Sequence, residues 1–188
     1  MLAVKFSLFF LCLQVLAIPV ADESICHGES DILSEKLIGK DRNVKMTTLA
    51  CSGDIHSRNS VEARQNTSIP LNVCGAECNT NCFIPAGGGP DPNECHVIAD
   101  ALRYESQNSG AIFSIPNGNA TTNPIVMQFR SCKTFFVNQD LGPLTYCRTD
   151  WAALIDWLAP TCQATQNAHG GNCVAADQRW FVHSPPSS

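Results

Sequence analysis

The densest group of side chains able to do chemistry lies between Cys162 and Cys173, in CQATQNAHGGNC. Gln163, Thr165, Gln166, Asn167, His169 and Asn172 bring amide, hydroxyl and imidazole groups into one loop, and Gly170-Gly171 would let a main chain approach a ligand closely. Such groups suit a sugar, whose hydroxyls want hydrogen-bond partners and whose ring wants an aromatic face. Trp180, Tyr104 and Tyr146 are the candidate faces. The same composition also describes a solvated connector between two cysteines, and a tryptophan in a strand is as readily a core residue.

Catalytic chemistry finds less to work with. The chain carries no GxSxG, no HExxH and no P-loop. His96 sits at a helix start and His183 two residues from the terminal prolines, so both read as surface residues rather than bases. Asp150 and Asp156 are six residues apart and do not share a helix face as a carboxylate pair would. CGAECNTNC, residues 74–82, has three-and-three spacing with no histidine to complete a zinc set. The glycines of IPAGGGPDP are followed by no Lys-Ser or Lys-Thr and so cradle no phosphate. The reading is therefore of a binding protein, not an enzyme, with no metal and no cofactor.

Residues 1–21 hold one early lysine, then FSLFFLCLQVLAI and small residues at Ala17 and Ala21, the layout of a secretory signal peptide. The apolar run is shorter than the roughly 20 residues a spanning helix needs, and no second one follows. Removing Cys12 with the signal leaves ten of the 11 cysteines, an even number that in an exported chain implies disulfides. Cys74, Cys78, Cys82, Cys95, Cys132, Cys147, Cys162 and Cys173 make four bridges in the C-terminal part, with 105 connectivities open. Residues 22–58 are charged, lack aromatic residues and show little apolar periodicity, so they read as a weak core former and a pro-segment. Cleavage after Arg58, or at Arg64, would release residues 59–188; the alternative is a retained extension clipped by a Cys26–Cys51 loop. Residues 59–188 carry six Lys or Arg against ten Asp or Glu. That balance argues against nucleic acid and against an anionic membrane surface. The length is that of one domain. Asn66-Thr-Ser and Asn119-Ala-Thr are N-glycosylation acceptors.

Several elements must position these groups. Ile125 to Val137, IVMQFRSCKTFFV, reads as a central strand, alternating in its first half and apolar on both faces in its second. Asp91-Pro92-Asn93-Glu94 starts a helix running to Ser106, with an apolar stripe of Cys95, Ile98 and Leu102 and a stop at Asn108-Ser109-Gly110. Residues 111–115 form a strand expected to pair, hairpin-like, with the central one across the turn Pro116–Asn119. Thr149 caps a second helix on which Trp151, Leu154, Ile155 and Leu158 face the core, Trp157 lies toward the flank, and Pro160 is the end. Residues 178–184 are the last strand. This order predicts an α+β fold with an antiparallel sheet.

From Cys95 to Val182 the strings CHVIADALRYESQNSGAIF, SCKTFFVNQ, YCRTDW and CQATQNAHGGNCVAADQRWFV resemble those of small secreted cysteine-rich proteins of mushroom-forming fungi, among them a glycan-binding lectin family. More distantly the pattern is similar to the fungal killer-toxin and extracellular-effector group. The resemblance covers residues 74–184 and carries no binding residue over. It implies a single-domain α/β/α sandwich that recognises N-acetylhexosamine-containing, perhaps fucosylated, glycans on foreign glycoproteins in defence, with a homodimer admitted. The alternative it implies is an effector acting on a protein target without sugar.

Overall fold

The computed structural model describes residues 25–26, 30–51, 69–116 and 123–185. The signal peptide, Arg58, Arg64 and both glycosylation acceptors, Asn66 and Asn119, lie outside them. The fold is α+β. In chain order the elements are β1 (Ser30–Ile38), β2 (Val44–Cys51), β3 (Leu71–Asn72), β4 (Cys78–Cys82), α1 (Pro92–Asn108), β5 (Ile112–Ile115), β6 (Ile125–Phe129) and β7 (Cys132–Asn138). Then come β8 (Leu144–Cys147), α2 (Arg148–Thr161), a single 3-10 turn at Ala164–Gln166, β9 (Gly171–Ala175) and β10 (Trp180–Ser184). A seven-stranded antiparallel sheet runs β1-β2-β6-β7-β10-β9-β4, and β3-β8-β5 form a second, smaller sheet.

The central stretch is two strands, not one. It turns back after Phe129, which pairs with Cys132, so that only Arg130 and Ser131 make the turn. Arg130 takes a left-handed φ of 50°, which costs a residue with a Cβ and is usually met by Gly, Asn or Asp. The turn is held from outside. Glu94, in the first turn of α1, accepts from both the main-chain N–H and the hydroxyl of Ser131, and these bonds hold its carboxyl below the usual range. Cys95–Cys132 bolts the same helix turn to the start of β7. Glu94 is thus engaged with Ser131, and the side chain that caps α1 is Asp91, accepting from Asn93 N–H at 2.8 Å.

The two-sided burial expected of this stretch is present. Ile125, Met127, Cys132 and Phe136 face both helices, packing with Ile98, Leu102, Trp151, Ile155 and Trp180. Val126, Phe135 and Val137 face the other way and form a separate cluster with Ile25, Leu49 and Phe181. Since α1 and α2 both belong to the first cluster, the described helices lie on one face of the large sheet. The small sheet adds Phe113, Ile115, Leu144 and Tyr146 to the same core, and the described residues do not show the helix layer on the other face that an α/β/α sandwich would add.

Two pairing expectations change. β5 pairs with β8, Ile115 opposite Leu144, rather than with the central strand. Residues 30–51, expected to be a weak core former, supply two strands of the large sheet: β2 pairs with β6, Met46 opposite Met127, and Val44 and Ile38 are buried. Only Val44 and Met46 alternate, on either side of the exposed Lys45, a pattern too short to stand out in the composition. All ten described cysteines are paired: four bridges within residues 74–173, as expected, and Cys26–Cys51 across the N-terminal hairpin. α2 begins at Arg148, so Thr149 lies inside it, and Pro160 falls in its last turn. No described helix is long and apolar enough to cross a membrane.

Candidate functional site

The loop that looked chemically richest spends its groups on its own structure. Gln166 Oε1 accepts from Gln163 N–H and from the Thr165 hydroxyl, closing the 3-10 turn. Asn167, left-handed at φ 58°, accepts from Ala86 N–H at 2.9 Å. His169 Nδ1 meets Pro85 C=O at 2.6 Å, and Gln163 Nε2 donates to the carbonyls of Pro90 and Ala159. Main-chain bonds from Gly87 N–H to Ala168 C=O and from His169 N–H to Phe83 C=O complete the seam. It is tight: a Cβ on Gly87 would lie 2.9 Å from His169 Cβ. Thus Gln163, Asn167 and His169 knit residues 83–90 to 163–170, and Cys82–Cys162 and Cys78–Cys173 bolt both ends of the loop to β4. Asn172 stands apart on β9, where its Oδ1 accepts from Asn81 Nδ2 at 3.1 Å.

The aromatic candidates divide. Trp180 and Tyr146 are buried, 0% and 2% exposed, and pack on Phe136 with ring centroids at 5.3 and 4.9 Å. Burial also pushes the Tyr146 hydroxyl above its ordinary pKa. Both belong to the core and are out of a ligand's reach. Tyr104 is exposed on α1, away from the loop. His183 is not a surface residue: it stacks on Phe135 at 4.6 Å and meets the tilted ring of Phe83 at 4.8 Å, and desolvation lowers its pKa to about 4. His96 is exposed, as expected, and is held by Asp156 at 2.8 Å, beside an Arg103–Asp156 pair that ties α1 to α2.

The side chain sequence reasoning passed over is Trp157. Six residues after the buried Trp151, at 3.6 residues per turn, it lies about 120° round α2. It is 56% exposed. Trp157 and Leu154 form one wall of an open groove of about 410 Å³ whose other wall is Ala76 to Thr80 together with Cys173 and Ala176. β4 is the last strand of the large sheet, so among the described residues no strand pairs with one of its edges. Glu77 C=O accepts from Ala176, while Phe83 donates to Gly170 and accepts from His169. In an antiparallel pair such groups alternate; odd-numbered residues therefore face β9, and Cys78, Thr80 and Cys82 turn their main-chain N–H and C=O groups outward. The groove brings together an indole face, the Thr80 hydroxyl on the same face of β4 as the Cys78–Cys173 bridge, and the strand edge, with Glu77 and Asn79 also in its lining. The Cys78–Cys173 disulfide is part of its lining, and Cys82–Cys162 ties the end of β4 to the residue after α2. The signal in the sequence was Trp157 itself, a large aromatic outside the apolar stripe of its helix. Its partner strand, CNTNC, gave no alternating apolar pattern by which to be recognised.

Among the described residues, Cys74, Cys147 and Asp150 come close enough to suggest a metal set. The two sulfurs are joined in a disulfide, however, and offer no thiolate. Compared with known proteins, the chain matches no family model, and no curated protein or solved structure is significantly similar to it.

Proposed function

We propose that this is a secreted glycan-binding protein and that the groove between α2 and β4 is its binding site. The observation that carries the reading is Trp157, an indole more than half exposed on a groove wall with a polar strand opposite. A pyranose ring laid on the indole would present its hydroxyls to Thr80, on the same face of β4 as the Cys78–Cys173 bridge, and to the outward main-chain groups of β4. Proteins pair an apolar face with a fixed hydrogen-bonding rim in this way when ligands are amphipathic. N-acetylhexosamine-containing glycans, with or without fucose, are the ligand class, since the N-acetyl group adds one amide donor and acceptor to the ring. Five disulfides support an oxidising compartment and an exported chain. A role in defence against foreign glycoproteins follows from such recognition. The Cys162–Cys173 loop acts here as the clasp that holds β4 and β9 in place.

The test is a glycan array followed by titration with the best ligand. Covering the exposed face of Trp157, on the order of 100 Å², at roughly 25 cal/mol per Å² is worth about 2.5 kcal/mol. Trp157→Ala should therefore weaken binding by tenfold or more while leaving thermal stability unchanged, because the side chain is on the surface. An array with no ligand above background sinks the glycan reading. Binding that survives Trp157→Ala moves the site elsewhere.

A further inference from the structure

We propose that residues 30–51 are an exchangeable strand donor: a hairpin held to the domain by pairing and packing alone, at an edge that accepts the same hairpin in trans. Disulfide pairing is the first ground. Cys26–Cys51 closes this segment on itself, and the other four disulfides all join residues between Cys74 and Cys173. A single chain connection, through residues 52–68, joins the hairpin covalently to the rest.

The second ground is how the hairpin is docked. β2 lies along β6 with Lys45 to Thr48 opposite Gln128 to Ile125, and Leu49 N–H donates to Pro124 C=O at 3.0 Å. It grips both faces of the sheet: Val44 packs into the helix-side core, and Leu49 joins Val126 on the other face. The hairpin turn is seated as well, Gly39 N–H donating to Glu105 and its Cα lying so close that a Cβ would meet Ala101 Cβ at 2.8 Å. Without the hairpin, β6 would be an open edge with Met127 uncovered beside it, a template for another strand. What fits that edge is a strand with apolar residues at alternate positions, as in Val44-Lys45-Met46. The occupant is this hairpin, from the same chain or from a second copy.

A cut anywhere in residues 52–68 would then produce a two-chain protein with no disulfide between the chains, rather than a domain stripped of its N-terminal strands. Processing and retention of residues 30–51 are compatible.

The experiment uses the full-length exported chain with a protease site inserted after Arg58 and cut without reductant. On a denaturing gel without reductant the hairpin fragment should separate from the domain, yet in native gel filtration the two should co-elute. A labelled, oxidised peptide of residues 25–52 in large excess should replace the original fragment, and the same peptide carrying Val44→Asp and Met46→Asp should not. A fragment that stays linked on the denaturing gel would place Cys26 or Cys51 in a bond to the domain and overturn the proposal. So would loss of the fragment on the native column, failure of the labelled peptide to enter, or equal entry by the Asp peptide.

Discussion

Asn167 is where a ligand-binding loop and a structural clasp make opposite forecasts. Its side chain accepts from Ala86 N–H at 2.9 Å and its backbone is left-handed, φ 58° and ψ 40°. Asn167→Ala removes the hydrogen bond, worth about 0.5–1.5 kcal/mol, and puts a Cβ with no compensating local bond into the left-handed region at a further cost of about 1 kcal/mol. The sum is about 1.5–2.5 kcal/mol of lost stability. Asn167→Gly loses the same hydrogen bond but relieves the backbone. Glycine's greater freedom in the unfolded chain offsets part of that relief, leaving Gly above Ala by up to about 1 kcal/mol. Urea unfolding under non-reducing conditions should rank the proteins wild type, Gly, Ala, and melting temperatures should follow at about 2–4 °C per kcal/mol for a domain of this size. Glycan affinity at a temperature where all three are folded should be unchanged. Equal stability of all three would refute the clasp, and Gly falling below Ala would refute the left-handed backbone. A tenfold loss of affinity at constant stability would return the loop to the binding site.

The remaining expectations are briefer. His183 is buried with a pKa lowered to about 4, below the 6.5 of the unfolded chain; the unfolded state therefore binds more protons between those values. Stability is full above about pH 6.5 and falls as pH drops toward 4, by up to about 3 kcal/mol. His183→Phe should flatten this part of the profile in denaturant titrations run from pH 7 to 4, and an unchanged slope would place the acid sensitivity elsewhere. Gly39→Ala forces a Cβ against Ala101 at 2.8 Å and at φ +87°, so it should cost about 1–3 kcal/mol. Combining it with Ala101→Gly should restore part of that loss in a double-mutant cycle, and strict additivity would argue that the two residues do not touch.

How much of this was legible in the sequence depends on which distances carried the information. Cysteine parity and spacing told of an oxidised, bridged domain. The Asp91-Pro92 start and the glycine stop of α1 were read because helix ends are written in adjacent residues. The two-sided burial of Phe135, Phe136 and Val137 was read because strand periodicity is local too. What tertiary structure alone decided were relations between residues far apart. Arg130-Ser131 is held in its turn by Glu94 and the Cys95–Cys132 bridge, although Arg130, at φ 50°, is not a turn former by type. β2 finds β6 across more than seventy residues, and it becomes an inner strand of the sheet, between β1 and β6, only when that partner is present. Gln163, Asn167 and His169 looked free to bind because composition reports which groups exist, not which are already satisfied. Trp157 stayed outside the expected site for the converse reason: the groove that makes it useful is formed with a polar strand eighty residues earlier, brought there by the pairing of β4 with β9 and by two disulfides.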